Sequence, residues 1–262
     1  LEICNYNMLK KKEFLFEISW EVCNKVGGIH TVVYSKLQNS LKNFKNYYLM
    51  GPYIGENDEF LENNVPEKFM IAYEELLSIG IKVHFGKTNT IEKANVILVE
   101  HLGFSDHVGG IKTYLWEKYK IDSMNSDWND YDSAILWSWT CGIVIDKLTS
   151  NSKDDVLVHS HEWMSGGAIF YLNSLENSKF KTVFTTHATM LGRVISGSGQ
   201  NLYDVIDEID SEKFSYDSGV HTKFQTEKAL ALNSNCFTTV SDTTDDEAKN
   251  FFGKKSDVLL YN

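Results

Sequence analysis

Three short stretches of this chain carry side chains suited to holding a polar, anionic ligand. The first is Lys25-Val26-Gly27-Gly28, which follows the apolar run Phe14-Leu15-Phe16-Glu17-Ile18-Ser19-Trp20. Adjacent glycines let a backbone approach a ligand closely. A helix beginning near Ile29 adds unpaired N–H groups and partial positive charge at the same place. With Lys25 as a mobile cation, the stretch can receive a phosphate or a sugar phosphate. The same residues also suit a plain β–α turn in which the glycines serve only the bend.

The second stretch is His159-Ser160-His161-Glu162-Trp163, and the third is Thr185-Thr186-His187-Ala188-Thr189 followed by Gly192-Arg193. His159 and His161 are two apart, so on a strand they face one side. A metal would need a further ligand, and no His-Glu-x-x-His spacing is present, so no metal is expected. His159 reads as an interior histidine and Glu162 as a first-turn helix glutamate. His161 can donate to and accept from sugar hydroxyls. His187 follows a strand where the chain should emerge at a rim, and Arg193 offers a planar fork for a phosphate. A surface arginine in a weak ion pair is the other reading of Arg193.

These stretches need elements to position them. Continuous Val/Ile/Leu/Phe runs predict strands over residues 14–19, 47–50, 81–85, 96–100, 156–159, 182–186, 236–240 and 258–261, of the kind found in sheets covered on both faces. Helices are predicted over residues 29–43, 67–78, 131–148, 163–175, 223–231 and 242–252, the last with Ser241 as N-cap and Asp242, Asp245 and Asp246 in its first turns. The alternation predicts an α/β fold with a doubly wound, Rossmann-like parallel sheet, in which ligands bind beyond the carboxyl ends of the strands. All three stretches follow strands, so they should converge on one rim. Residues 55–67 read as a surface excursion, and the Trp-, Tyr- and Asp-rich residues 105–130 resist assignment.

The 262 residues suffice for one large domain or two small ones, and 42% hydrophobic residues can build a sizeable core. A net charge of −11, from 25 basic and 36 acidic residues, argues against nucleic acid or an anionic membrane as partner. Cys4, Cys23, Cys141 and Cys236 show no Cys-x-x-Cys spacing, which predicts free thiols in a reducing compartment. There is no apolar run of roughly eighteen residues and no signal-peptide pattern, so a cytoplasmic protein is expected.

Taken together, the blocks resemble one family. The segment from Phe16-Glu17-Ile18-Ser19-Trp20 through Lys25-Val26-Gly27-Gly28-Ile29 is similar to the opening of the eukaryotic-type glycogen synthases. Gly51-Pro52-Tyr53, His159-Ser160-His161-Glu162-Trp163, Phe184-Thr185-Thr186-His187-Ala188-Thr189-Met190-Leu191-Gly192-Arg193 and Phe237-Thr238-Thr239-Val240-Ser241 resemble further blocks in the family's order. The resemblance implies the N-terminal, acceptor-side lobe of a two-lobed GT-B glycosyltransferase occupying residues 1–262. It implies transfer of glucose from UDP-glucose or ADP-glucose to the non-reducing end of an α-1,4-glucan, with retention and with no metal or other cofactor. It implies that Lys25, Gly27 and Gly28 lie near the donor diphosphate, that His187 and Arg193 touch the donor glucose and phosphate, and that His161 neighbours the sugar.

The family continues through a Pro-Asn-Gly-Leu-like hinge, whereas this chain reads Leu260-Tyr261-Asn262, with Tyr261 at the usual proline. The C-terminal nucleotide-binding lobe would therefore be a missing partner, and the chain alone is expected to have little activity. A homo-oligomer of a full-length protein stays open. Two other readings stand beside this one. One is a different retaining GT-B glucosyltransferase, sucrose- or starch-synthase-like. The other is a non-enzymatic glucan-binding module in which Trp116, Trp128, Trp137 and Trp139 stack on sugars, although Trp137 and Trp139 fall in a predicted helix and suit a core.

Overall fold

The computed structural model describes residues 12–199 and 201–261. Its strands are β1 (Lys12–Ile18), β2 (Phe44–Pro52), β3 (Phe60–Asn63), β4 (Lys82–Thr88), β5 (Asn95–Glu100), β6 (Val156–His161), β7 (Phe180–Thr186), β8 (Cys236–Thr239) and β9 (Val258–Leu259). They form one sheet in the order β3-β4-β5-β2-β1-β6-β7-β8-β9. From β5 to β9 every neighbouring pair is parallel. The helices are α1 (Gly28–Ser35), α2 (Leu37–Asn43), α3 (Met70–Ser78), α4 (Val108–Tyr119), α5 (Ser133–Leu148), α6 (Gly167–Ser174), α7 (Met190–Gly197), α8 (Leu202–Val205), α9 (Ser211–Asp217), α10 (His221–Asn233) and α11 (Asp242–Phe252).

The doubly wound parallel sheet is thus present, with one departure at its edge. There β4 runs antiparallel to β5, and β3 antiparallel to β4. Parallel neighbours need a long crossover, and only a short turn closed by Thr88 N–H on the Ala94 carbonyl (2.9 Å) joins β4 to β5. The presumed surface excursion at 55–67 contributes β3.

Strand periodicity sorts the core onto two faces. On β1, Phe16 and Ile18 pack with α5, α6 and the sheet's larger apolar layer. Leu15 faces the other way and packs with Val33, Leu37, Tyr47, Leu49, Val96 and Leu98 beneath α1 and α2. Helix α5 is apolar almost all round because it is buried on most sides, with Trp137 fully enclosed. Its crossing with α6 is close: a Cβ on Gly167 would stand 2.5 Å from the Trp139 backbone nitrogen and 2.7 Å from the Ile135 carbonyl.

Local signals explain some element ends. Ser241 caps α11 by accepting from Thr244 N–H (3.1 Å), and Gly253 closes it in the left-handed region at φ 74. The helix expected over 29–43 is instead two, broken at Lys36 (φ −97, ψ 1). Residues 105–130 contain α4, which ends at Lys120 in the left-handed region. Cys23, Cys141 and Cys236 are free thiols, and Cys4 lies outside the described residues. No described helix is long and apolar enough to cross a membrane.

Candidate active site

The loops following β1, β6 and β7 meet at one cleft of about 370 Å³ beyond the carboxyl ends of the central strands. Ser19, Trp20, Glu21, Val26 and Ile29 line it from the first loop, His161, Glu162, Trp163 and Met164 from the second, and Met190 and Arg193 from the third.

In the first loop the glycines do not make a left-handed bend. Gly27 is extended (φ −146, ψ −157) and precedes α1. A Cβ there would lie 2.8 Å from Glu21 Oε1, so a side chain would push that carboxylate aside. A Cβ on Gly28 would meet nothing within 4 Å, so the backbone there is open to a ligand. The Glu21 carboxylate accepts from the Gly27 and His30 N–H groups, both at 2.9 Å. It therefore stands where an anion at a helix N-terminus would sit. Lys25 is exposed beside it.

In the second loop, β6 carries His159 and His161 on one face, with ring centroids 4.2 Å apart. His159 is the interior residue expected, its Nε2 paired with Thr185 Oγ1 at 2.7 Å. For His161 the structure revises the expected contact with sugar hydroxyls. Its Nε2 faces Glu17 Oε1 at 2.8 Å and its Nδ1 faces His187 Nε2 at 3.0 Å, so both ring nitrogens are used inside the protein. Glu17 is fully buried on β1, accepts from Tyr47 OH at 2.5 Å, and is ion-paired to Lys36 at the break between α1 and α2. Glu17, His159 and His161 are the described residues whose donor atoms could gather round a metal, all within 4.8 Å of one another. Lys36 supplies the counter-charge on the same Glu17 oxygen, so a metal there would have to expel the ammonium.

Glu162 is not a first-turn helix glutamate. Its backbone is held at φ 64, ψ 163, a region that non-glycine residues seldom occupy. Its carboxylate crosses to the third loop, where it accepts from His187 N–H (2.8 Å) and Ala188 N–H (3.3 Å). Arg193 lies over it, with Nη2 3.5 Å from Oε1 and Nε donating to the Ala188 carbonyl at 3.3 Å. The Arg193 side chain is 52% exposed, which leaves its outer edge facing the cleft.

Two more buried carboxylates shape the third loop. Glu227, from α10, accepts from Met190 N–H (2.8 Å) and Thr186 OH (3.2 Å). Glu247, from α11, accepts from Thr189 OH at 2.6 Å, while the same Thr189 oxygen caps α7 by accepting from Gly192 N–H at 3.0 Å. A Cβ on Gly192 would lie 2.4 Å from Glu247, which explains the glycine.

Burial dominates the electrostatics. It pushes His187 down to about 4, with Lys36 and Arg193 adding to the effect. His159 and His161 are pushed well below the ordinary histidine range for the same first reason. Burial pushes Glu162 up against the opposing pull of Arg193, and pushes Glu227 up with help from the Glu162 charge. Neutral imidazoles thus lie behind the cleft, and one exposed guanidinium lines it.

Sequence reasoning placed His161, His187 and Arg193 together correctly and set Lys25, Gly27 and Gly28 at the same rim. It missed Glu17, Glu21, Lys36, Glu227 and Glu247 as partners. Glu17 left a signal, being one acidic residue in the middle of an apolar strand run. The others sit on helices or in a loop, where nothing in the local pattern marks a partner far along the chain.

A nearly parallel α/β sheet with a cleft at its carboxyl edge is the lobe architecture of GT-B glycosyltransferases. The catalytic domain of starch synthase IV from Arabidopsis thaliana, solved with ADP and acarbose, superposes with a TM-score of 0.53 at 14% identity, covering 96% of this chain and 52% of that one. The family model for glycogen synthase matches residues 17–262, and the chain belongs to that family. It is 30% identical over 252 residues to the liver glycogen [starch] synthase of Mus musculus, covering 95% of this chain and 36% of that protein. It is 31% identical over 259 residues to the glycogen [starch] synthase of Dictyostelium discoideum, covering 95% and 28%. The chain thus spans about a third of the length of these relatives.

Proposed function

We propose that this chain is the acceptor-side lobe of a retaining glucosyltransferase that moves glucose from a nucleotide diphosphate glucose to the non-reducing end of an α-1,4-glucan. The observation that supports this most is the meeting of three strand-end loops at one cleft, with Arg193 exposed beside Glu162, Glu162 holding the His187 N–H, and His187 bonded to His161. Breaking the bond between glucose C1 and the diphosphate oxygen builds negative charge on the leaving group. Arg193, Lys25 and the open Gly28 backbone are the groups placed to stabilise it. The acceptor hydroxyl forms the new C1–O bond on the same face, and its proton passes to the departing phosphate. No metal or cofactor takes part in this reading, and a second lobe would supply the nucleotide-base pocket.

Glu21 adds a condition. Its carboxylate holds the Gly27 N–H, so a diphosphate engages Gly28 and Lys25 directly or displaces Glu21 first. The test is Arg193→Ala in a protein that carries this chain together with its second lobe. The transfer rate should fall by at least a hundredfold, as for loss of one charge-stabilising donor, while glucan affinity stays within a few fold. Equal losses in rate and glucan binding would remove Arg193 from the reacting centre.

A further inference from the structure

Behind the cleft runs a continuous string of polar side chains: Lys36, Glu17, His161 and His187. Its hydrogens can be placed by elimination. Glu17 bears the Lys36 ammonium and accepts from Tyr47 OH, so it is ionised and can only accept. His161 must therefore donate from Nε2. A second proton on His161 would make a fully buried imidazolium facing Lys36 and His187, and Lys36 already neutralises Glu17. His161 is thus neutral, with a bare Nδ1. The 3.0 Å contact to His187 then requires a proton on His187 Nε2. His187 itself faces Arg193, Lys36 and the Glu17 charge, and burial keeps it neutral. Its Nδ1 is left as a lone pair. His187 is partly exposed, and no described residue bonds to that nitrogen.

We propose that Glu17 is a positioning residue: acting through His161, it fixes the tautomer of His187 so that His187 Nδ1 stays open to solvent as a hydrogen-bond acceptor. A ligand hydroxyl can then donate to this imidazole, and an acceptor-only group such as a carboxylate cannot bond there. That the hydroxyl belongs to a glycosyl unit rests on the function proposed above. The tautomer does not, and it can be read with no sugar present.

The test is long-range ¹⁵N–¹H correlation of the histidine rings in the ¹⁵N-labelled chain. The wild type should show His161 and His187 each as a single Nε2–H tautomer. Glu17→Gln keeps the shape but removes the obligatory acceptor, since an amide can also donate, so His187 should lose its single tautomer and show protons on both nitrogens. Lys36→Gln, at a partly exposed position, should let His161 take a second proton on mild acidification, and His187 should gain an Nδ1–H signal with it. A wild-type His187 carrying its proton on Nδ1 would overturn the proposal even if neither variant folds. So would a His187 tautomer that ignores both substitutions. A fixed tautomer in this chain, with no binding of a nucleotide sugar by the protein that carries it together with its second lobe, would sink the functional reading and leave the relay standing.

Discussion

Glu162 shows how much local cost this site tolerates. A backbone at φ 64, ψ 163 costs on the order of 1–3 kcal/mol for a non-glycine residue, and the two N–H bonds to the third loop offset it. The buried histidines have a thermodynamic consequence of their own. His101 is buried near Ser133, and burial lowers it to about 4 from the ordinary 6.5. Between those values the unfolded chain binds a proton that the folded chain does not. Its contribution is therefore intact above pH 6.5 and is lost as pH falls towards 4, by about 1.4 kcal/mol per pH unit. Glu162, Glu227 and Glu247 are shifted upward and act in the opposite sense, but they are common to wild type and variant. In urea unfolding, the stability advantage of wild type over His101→Asn should shrink by roughly that amount per unit between pH 6.5 and 5. An advantage that stays constant over this range would contradict the assigned burial. At this scale the sequence announced side chains able to do chemistry at 161, 187 and 193. It did not announce that His161 spends both nitrogens on neighbours, because Glu17 lies 144 positions away and His187 lies 26 away.

Elements position these residues through close approach. Helices α5 and α6 cross where Gly142 and Gly167 remove side chains, and the backbone of residues 135–139 would meet any Cβ on Gly167 at under 3 Å. Gly167→Ala should therefore destabilise the chain by about 1–3 kcal/mol, although alanine is intrinsically the better helix former. A stabilised variant in thermal or urea unfolding would show that the crossing has slack the structure lacks. The predicted strands all occur, because continuous Val/Ile/Leu/Phe runs force burial on both faces. The antiparallel edge was not legible. β3 is four residues long with its last three exposed, so it has neither an apolar run nor a clean alternation. The break at Lys36 was equally hidden: no proline or glycine marks it, and it shows only where the Lys36 ammonium meets Glu17.

At the scale of the whole molecule, parallel strand order explains why residues far apart in sequence share one cleft. β1, β6 and β7 are neighbours with a common direction, so their following loops must emerge together. Arg193 and Lys25 stand at this rim with the Glu21 and Glu162 carboxylates beside them, on a chain whose net charge is −11. Whether three loops build one glycosyl-donor site can be read by amide chemical-shift mapping of this chain, ¹⁵N-labelled and joined to its second lobe, with a nucleotide diphosphate glucose. Concerted shifts at Gly28, His161, His187 and Arg193 that saturate with a single affinity are expected. Shifts confined to one loop, or to the far side around Trp116, with the other loops silent, would contradict a single three-loop site.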